Sequence, residues 1–192
     1  MSEFTEALTA AHMAMIAAQP VFFVATAAVG ARINLSPKGL AETLCVLSPS
    51  RVAYLDFGGS GNETNAHLIA DGRITLMMCN FQQPALILRI YGHGQPVLPR
   101  ERGWDALAGH FRLQPGTRQI FDIAIDSVQT SCGWGVPLMT LEAERQAMPK
   151  YHARADPQEW AGKHKRRRES IDGLPTRPTD RYIAGAPGTI PD

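Results

Sequence analysis

The chain has 192 residues, of which 44% are hydrophobic and 19% charged, a composition typical of an ordinary globular protein. Its formal net charge of +1 at pH 7 excludes a bulk attraction to nucleic acid or to an anionic membrane. Its three cysteines are widely spaced, which argues against a disulfide framework and against a C-x-x-C metal site. No apolar run reaches the roughly 18–20 residues of a membrane span, and no secretory signal is evident. We therefore expect a cytoplasmic protein without a nucleic-acid or membrane partner.

The pattern of apolar residues predicts a mainly β protein with peripheral helices. An amphipathic helix is expected over residues 4–18, ended by Pro20. Short segments rich in β-branched and aromatic residues then predict strands, which supports a barrel or a sandwich. The expected strands are residues 21–27, 31–35, 43–47, 52–57, 73–81, 85–92 and 119–128. Helices are expected over residues 61–71, 100–111, 141–148 and 157–170, and a Pro/Gly-rich tail from Gly173 is either loose or laid over a partner subunit.

A glycine-rich turn, Gly58-Gly59-Ser60-Gly61, connects a predicted strand to a predicted helix. Ser60-x-x-Glu63 has the pattern of a capping box. A turn of this kind gathers free backbone N–H groups at the positive end of a helix, where a phosphate is favoured. An ordinary capped helix after a glycine turn is the alternative, and the spacing matches neither a dinucleotide fingerprint nor a Walker loop.

A second candidate segment is the sequence RINLSPKG, which contains Asn34, Ser36 and Lys38. Asn34 and Ser36 alternate with apolar residues, so both should lie on one face of a strand, with Lys38 in the loop after Pro37. An amide, a hydroxyl and an ammonium on one side can bind an anion. A strand with a solvated polar face is the alternative.

Three further features carry weaker signals. Arg89 lies in an apolar strand, which indicates either a salt bridge or a ligand contact. Trp134 stands between two glycines, where its ring is free to stack on a flat ligand or on a neighbouring subunit. The basic run at residues 163–168 is expected to be a solvated helix face, with binding of RNA, DNA or an acidic partner as the alternative, which no interleaved aromatic residues support. No histidine spacing indicates a metal site, and no side chain stands out as a catalytic acid, base or nucleophile.

Taken together, these segments resemble the FMN-binding split-barrel family related to pyridoxamine 5′-phosphate oxidase. The resemblance rests on five segments, in order along residues 10–140: NLSPKG, YLDFGGSGNETNAHL, GRITLMMCNF, LILRIYGHG and SCGWGVP. It implies a six-stranded split β-barrel over residues 1–140, followed by a helical C-terminal extension and tail over residues 141–192. It also implies a homodimer that holds two FMN molecules at the subunit interface.

The resemblance assigns candidate cofactor-binding residues on three elements and one loop. The FMN phosphate would lie among the polar residues of the early strand, the start of the helix and the later strand, and a tryptophan would approach the flavin or substrate region. These residues are Asn34, Ser36 and Lys38; Ser60, Asn62, Glu63 and Thr64; Arg89; and Trp134.

This chain also departs from true pyridoxamine phosphate oxidases. Their Ser-Arg-Lys at the helix start corresponds to Asn62-Glu63-Thr64, which removes two cations, and their C-terminal substrate segment has no counterpart. We therefore expect an FMN-dependent oxidoreductase that acts on a small molecule other than a vitamin B6 phosphate. The alternatives are a non-catalytic flavin carrier or sensor, and a split barrel that holds haem or a deazaflavin.

Overall fold

A computed structural model describes residues 2–40 and 42–185. The described residues form eight strands and five helices. In chain order these are β1 (Glu3–Thr5), α1 (Ala10–Ala18), β2 (Phe22–Thr26), β3 (Asn34–Lys38), β4 (Leu44–Ser48), β5 (Arg51–Phe57), α2 (Glu63–Ala70), β6 (Arg73–Cys79), β7 (Leu86–Val97), α3 (Trp104–Ala108), β8 (Thr117–Cys132), α4 (Ala147–Ala153) and α5 (Pro157–Lys165).

The strands form one antiparallel sheet in the order β3-β2-β6-β7-β8-β5-β4, with β1 paired to β8. Among the described residues the sheet is not closed by backbone pairing, because β3 and β4 are its two edges. The sheet is nevertheless rolled, because the Lys38 ammonium on β3 lies 3.1 Å from the Asp56 carboxylate on β5. The expected mainly β, split-barrel fold class is confirmed, with eight strands where six were expected.

The third strand differs from its prediction in a way that affects the site. We expected residues 31–35 to form the strand and Pro37 to end it, but β3 includes Pro37, which pairs with Phe23 of β2. Proline is tolerated there because β3 is an edge strand. Lys38 is therefore a strand residue, and it shares one face with Asn34 and Ser36.

The N-terminal helix is shorter than predicted. Residues 3–5 form β1 instead, with Phe4 opposite Gln129, and the helix begins only at Ala10. Thr9 is the N-cap, because its hydroxyl accepts a hydrogen bond from the His12 amide at 3.3 Å. The apolar Phe4 therefore belongs to a strand and not to the predicted helix.

Apolar clusters lie on both faces of the sheet. The interior of the roll is filled by side chains such as Val24, Leu76 and Ile90, and the outer faces of β5 and β8 pack against α3. Because β5 is covered on both faces, it reads as a nearly continuous apolar run. Asp56 lies two residues after the buried Tyr54 and therefore on the same, inward face of β5, so the strand places a carboxylate inside the roll.

The C-terminal extension packs on its own barrel. The Phe57 and His152 rings stack at 6.4 Å, and Trp160 Nε1 donates to His152 Nδ1 at 3.1 Å. The helix expected over residues 141–148 begins only at Ala147. Residues 173–185 of the tail also pack on this chain, whereas residues 186–192 lie outside the described part. In the described part of the chain, no helix has the length and apolar character needed to cross a membrane.

Candidate functional site

The polar face of β3 contacts the first turn of α2. Asn34 Nδ2 donates to Thr64 Oγ1 and to Thr26 Oγ1, both at 3.1 Å. Ser36 Oγ donates to Asn34 Oδ1 at 3.2 Å, so the strand residues hold one another in position. The structure thus brings together the two segments that were predicted separately as anion-binding candidates.

A buried carboxylate stands at the centre of this contact. Asp56 Oδ1 accepts from Lys38 Nζ at 3.1 Å, and Oδ2 accepts from Arg118 Nη2 at 2.7 Å, Arg118 Nε at 3.0 Å and Gln119 Nε2 at 2.8 Å. Burial alone would raise the pKa of Asp56. The charges of Arg118 and Lys38 and the hydrogen bonds from Gln119 and Arg118 outweigh burial and lower the pKa to about 2. Asp56 is therefore ionised at neutral pH.

The start of α2 is built differently from the predicted capping box. The helix begins at Glu63 with Asn62 as N-cap, so Ser60 lies in the exposed turn and is not the capping residue. The Asn62 side chain makes no capping bond within the described residues, and its Oδ1 accepts from Gln119 Nε2 at 2.9 Å. No described side chain therefore caps the first-turn amides from the N-cap position, which leaves them suited to an anionic group.

The C-terminal segment crosses the same helix start. The Ile171 amide donates to both oxygens of the Glu63 carboxylate, at 3.1 and 3.2 Å. The acidic side chain of the first turn therefore already has a hydrogen-bond donor from the C-terminal segment. Asn65 forms a two-way pair with the Arg177 backbone, at 2.8 Å to its amide and 3.2 Å to its carbonyl. These contacts place residues 171–177 along the side of α2.

Arg89 and Trp134 lie away from this cluster. Arg89 is opposite Met77 on β6, on the outer face of the sheet, and its Nη1 donates to Ser131 Oγ at 3.0 Å. Trp134 is 86% exposed and lines a cleft of about 550 Å³ together with Asn80, residues 82–85, Gly133, Val136 and Leu138. Within one chain, neither residue reaches the polar face of β3.

Three residues at the centre of the site were not predicted from the sequence. Asp56, Arg118 and Gln119 are all buried polar residues, and none was singled out. Asp56 at the inward end of an apolar strand was the available signal, because a buried carboxylate requires a cationic or hydrogen-bonding partner. Arg118 could not be paired with it from sequence alone, since the two are 62 residues apart.

The charges of the cluster leave a net positive balance. Lys38 and Arg118 carry two cations, and Asp56 supplies one buried carboxylate between them. This excess of one positive charge among Lys38, Asp56 and Arg118 lies beside the uncapped start of α2, where the Glu63 carboxylate is held by the Ile171 amide, so the arrangement is suited to binding a phosphate or a similar anion. Among the described residues, no group of three or more His, Cys, Asp or Glu side chains could hold a metal ion.

A comparison with curated proteins shows a relative in sequence. The chain is 44% identical over 131 residues to the pyridoxamine 5′-phosphate oxidase family protein ustO of Aspergillus flavus. The alignment covers 66% of this chain and 52% of the relative, so the chain spans about half the length of the curated relative it matches. No family model matches the chain. The sequence relationship agrees with the resemblance inferred from the motifs.

Two crystal structures of HupZ from Group A Streptococcus have a similar fold, each at 16% identity. One aligns over 64% of this chain and 98% of its own with a TM-score of 0.51. The other aligns over 63% and 91% with a TM-score of 0.50. This likeness concerns the arrangement of the strands alone.

Proposed function

We propose that this chain, which belongs to the pyridoxamine 5′-phosphate oxidase family, binds FMN and acts as a flavin-dependent oxidoreductase on a small molecule. The observation that carries the proposal is the convergence of β3 and α2 on one net-positive cluster, in which Asn34 of β3 donates to Thr64 of α2. The terminal phosphate of FMN has the charge and the acceptor oxygens that such a cluster binds.

The protein residues would bind and orient the cofactor. Lys38 supplies a positive charge, Ser36 a hydroxyl, and the first turn of α2 its backbone amides. Bound FMN would supply the redox chemistry, as flavins do in such proteins. No side chain of the cluster is placed to exchange a proton with a substrate, since Asp56 stays ionised among its donors. The C-terminal substrate segment of pyridoxamine phosphate oxidases has no counterpart in this chain, so the substrate should lie outside the vitamin B6 phosphates.

We also propose a homodimer in which Arg89 and Trp134 face the partner's cofactor site. Both lie outside the phosphate cluster of their own chain, and exposed apolar residues surround the strand edge and the Trp134 loop: Ile33, Leu35, Leu138 and Met139. Burial of these side chains between subunits would be favourable. Light scattering should give a dimer mass in the presence of FMN, and a flavin-loaded monomer would contradict the proposal.

Replacing Lys38 by alanine should lower FMN affinity about ten- to a hundredfold, because one charge-assisted hydrogen bond to the phosphate is lost. Affinity for riboflavin, which has no phosphate, should stay nearly unchanged. The parent should prefer FMN to FAD, since FAD presents no terminal phosphate. Fluorescence titration with the three flavins measures all of these effects. Equal FMN affinity of the parent and Lys38→Ala would show that the phosphate does not bind beside β3.

Lys163→Ala is the matched control, because Lys163 is an exposed lysine whose ammonium donates to the Tyr151 hydroxyl at 3.2 Å, away from the cluster. It should bind FMN like the parent. Lys38→Ala should also lower the free energy of unfolding by about 1–3 kcal/mol, since Asp56 loses one of its donors. A solvated loop lysine would contribute little to the free energy of unfolding. The expected loss arises because Lys38 lies on β3 and donates to Asp56.

A further inference from the structure

Arg167, in the turn after α5, is half-buried, and one nitrogen of its guanidinium group is enclosed by the protein. Its Nη1 is buried, and it makes no hydrogen bond to any described residue. Arg166 and Arg168 on either side are exposed, as expected for a solvated basic run. A buried cationic donor without a partner is costly, so an arginine in this position calls for a ligand or another physical reason.

The position of Arg167 is set by two segments that also touch the start of α2. Its carbonyl accepts from Thr176 Oγ1 at 2.6 Å, just before the Arg177 backbone pairs with Asn65 of α2. One turn earlier, the His164 ring lies so close to Gly58 that a Cβ on that glycine would overlap it. Arg167 thus lies between the glycine turn and the C-terminal segment.

The electrostatic surroundings of Arg167 are positive. Burial lowers the pKa of His164 to about 4, with further lowering by the charges of Arg118 and Arg167. Burial and the charge of Arg118 also lower the pKa of Arg167 itself. His164 Nδ1 lies 2.8 Å from the Trp160 carbonyl, and its buried Nε2 has no partner in the described part of the chain. Arg118, which pairs with Asp56, therefore also lies close enough to Arg167 for the two positive charges to interact.

We propose that Arg167 completes the anion site from the C-terminal extension of the same chain. Its free Nη1 would donate to an oxygen of the ligand's phosphate, beside the turn at residues 58–61 and the start of α2. Arg167 would thereby supply in cis a cation that the Asn62-Glu63-Thr64 helix start lacks. For FMN as the ligand, this inference rests on the proposed function, but an oxyanion site as such does not.

The test compares Arg167→Gln with Arg166→Gln, which removes the same charge from an exposed neighbour. FMN and riboflavin are titrated against both variants and the parent, and inorganic phosphate is added in thermal unfolding experiments without flavin. We expect Arg167→Gln to reduce the preference for FMN over riboflavin about ten- to a hundredfold. It should also abolish the phosphate-induced rise in Tm. Arg166→Gln should leave both unchanged, and Arg167→Lys should restore part of each.

The ligand-free stability separates this proposal from a purely structural role. Removing a buried, unpartnered cation should leave the Tm without ligand unchanged or raised, whereas loss of a structural contact would lower it. A lowered Tm, or equal FMN preference in the Gln variants of Arg166 and Arg167, would overturn the inference while FMN binding itself stands. If phosphate stabilises the parent through Arg167 but no flavin binds, the anion site stands and the proposed function fails.

Discussion

Asp56→Asn should lower the free energy of unfolding by about 3–5 kcal/mol at neutral pH, the usual cost of removing one partner from a buried ion pair. The variant keeps the size of the side chain, so the loss reflects charge and donor pattern. Arg118 is 6% exposed and would keep its buried charge without a carboxylate. The new amide group would also face donors from Lys38 and Gln119. Chemical denaturation at pH 7 measures the difference.

The pH dependence of stability identifies the same carboxylate. The pKa of Asp56 falls to about 2 in the folded chain from an ordinary value of 3.8. A depressed pKa contributes stability that is fully present above the unfolded pKa and is lost as pH falls through the folded pKa. The parent should therefore lose about 2 kcal/mol from this group between about pH 4 and pH 2. Asp56→Asn should lack this component, so the two stability curves should converge toward low pH.

Asp180→Asn provides the control, because Asp180 is exposed and its substitution should change stability by no more than about 0.5 kcal/mol. Two parallel stability curves for parent and Asp56→Asn, separated by the same amount at pH 2 and pH 7, would contradict the assigned ionisation. The lower stability of Asp56→Asn would then arise from packing around the side chain and not from its charge.

Much of the barrel could be predicted because its strands carry local signals. The segments around Phe22–Thr26 and Leu44–Ser48 are short, apolar and bounded by turn residues, and both were predicted within one residue at each end. β7 and β8 extend well beyond their predictions, to Val97 and to Cys132. Pairing with neighbouring strands over such lengths overrides local breaks such as Gly92 and Gly94, which no short sequence window reveals.

The polar face of β3 could be predicted from the sequence, but its contacts with α2 and β5 could not. Asn34 and Ser36 alternate along a strand, and this local period places them on one face whatever the fold. The contact of Asn34 with Thr64, and the pairing of Asp56 with Arg118, depend on how the sheet rolls. Those contacts join residues far apart in sequence, so only the tertiary structure establishes the net positive charge of the site.

The role of the C-terminal extension was also beyond sequence reasoning. A run of lysine and arginine residues is usually solvated, and Arg166 and Arg168 are indeed exposed. The partly enclosed position of Arg167 follows from the burial of Trp160, two turns earlier, and of His164, one turn earlier. The docking of α5 therefore decides which arginine faces the site.

Gly116→Ala should release the C-terminal extension from the barrel. Gly116 has a φ of +80°, and a Cβ there would lie 2.8 Å from His152 Cβ and closer still to the ring. The forced contact costs roughly 1–3 kcal/mol, and the left-handed backbone adds about 1–2 kcal/mol for a residue with a side chain. His152 is 1% exposed and holds Trp160 through its Nδ1, so it cannot yield without moving α5.

The barrel should remain folded in this variant, because its two apolar clusters consist mostly of side chains from the strands, α1 and α3. Limited proteolysis should therefore cut the extension much faster than in the parent, while the barrel fragment persists. FMN affinity should fall to the level of Arg167→Gln, since the released segment carries Arg167 away from the start of α2. Gly103→Ala is the control for backbone strain without steric overlap, because Gly103 has a φ of +92° but no atom within 4 Å of its Cβ position. If Gly103→Ala exposed the extension equally, or if Gly116→Ala kept full FMN affinity, docking of the extension would not support the anion site.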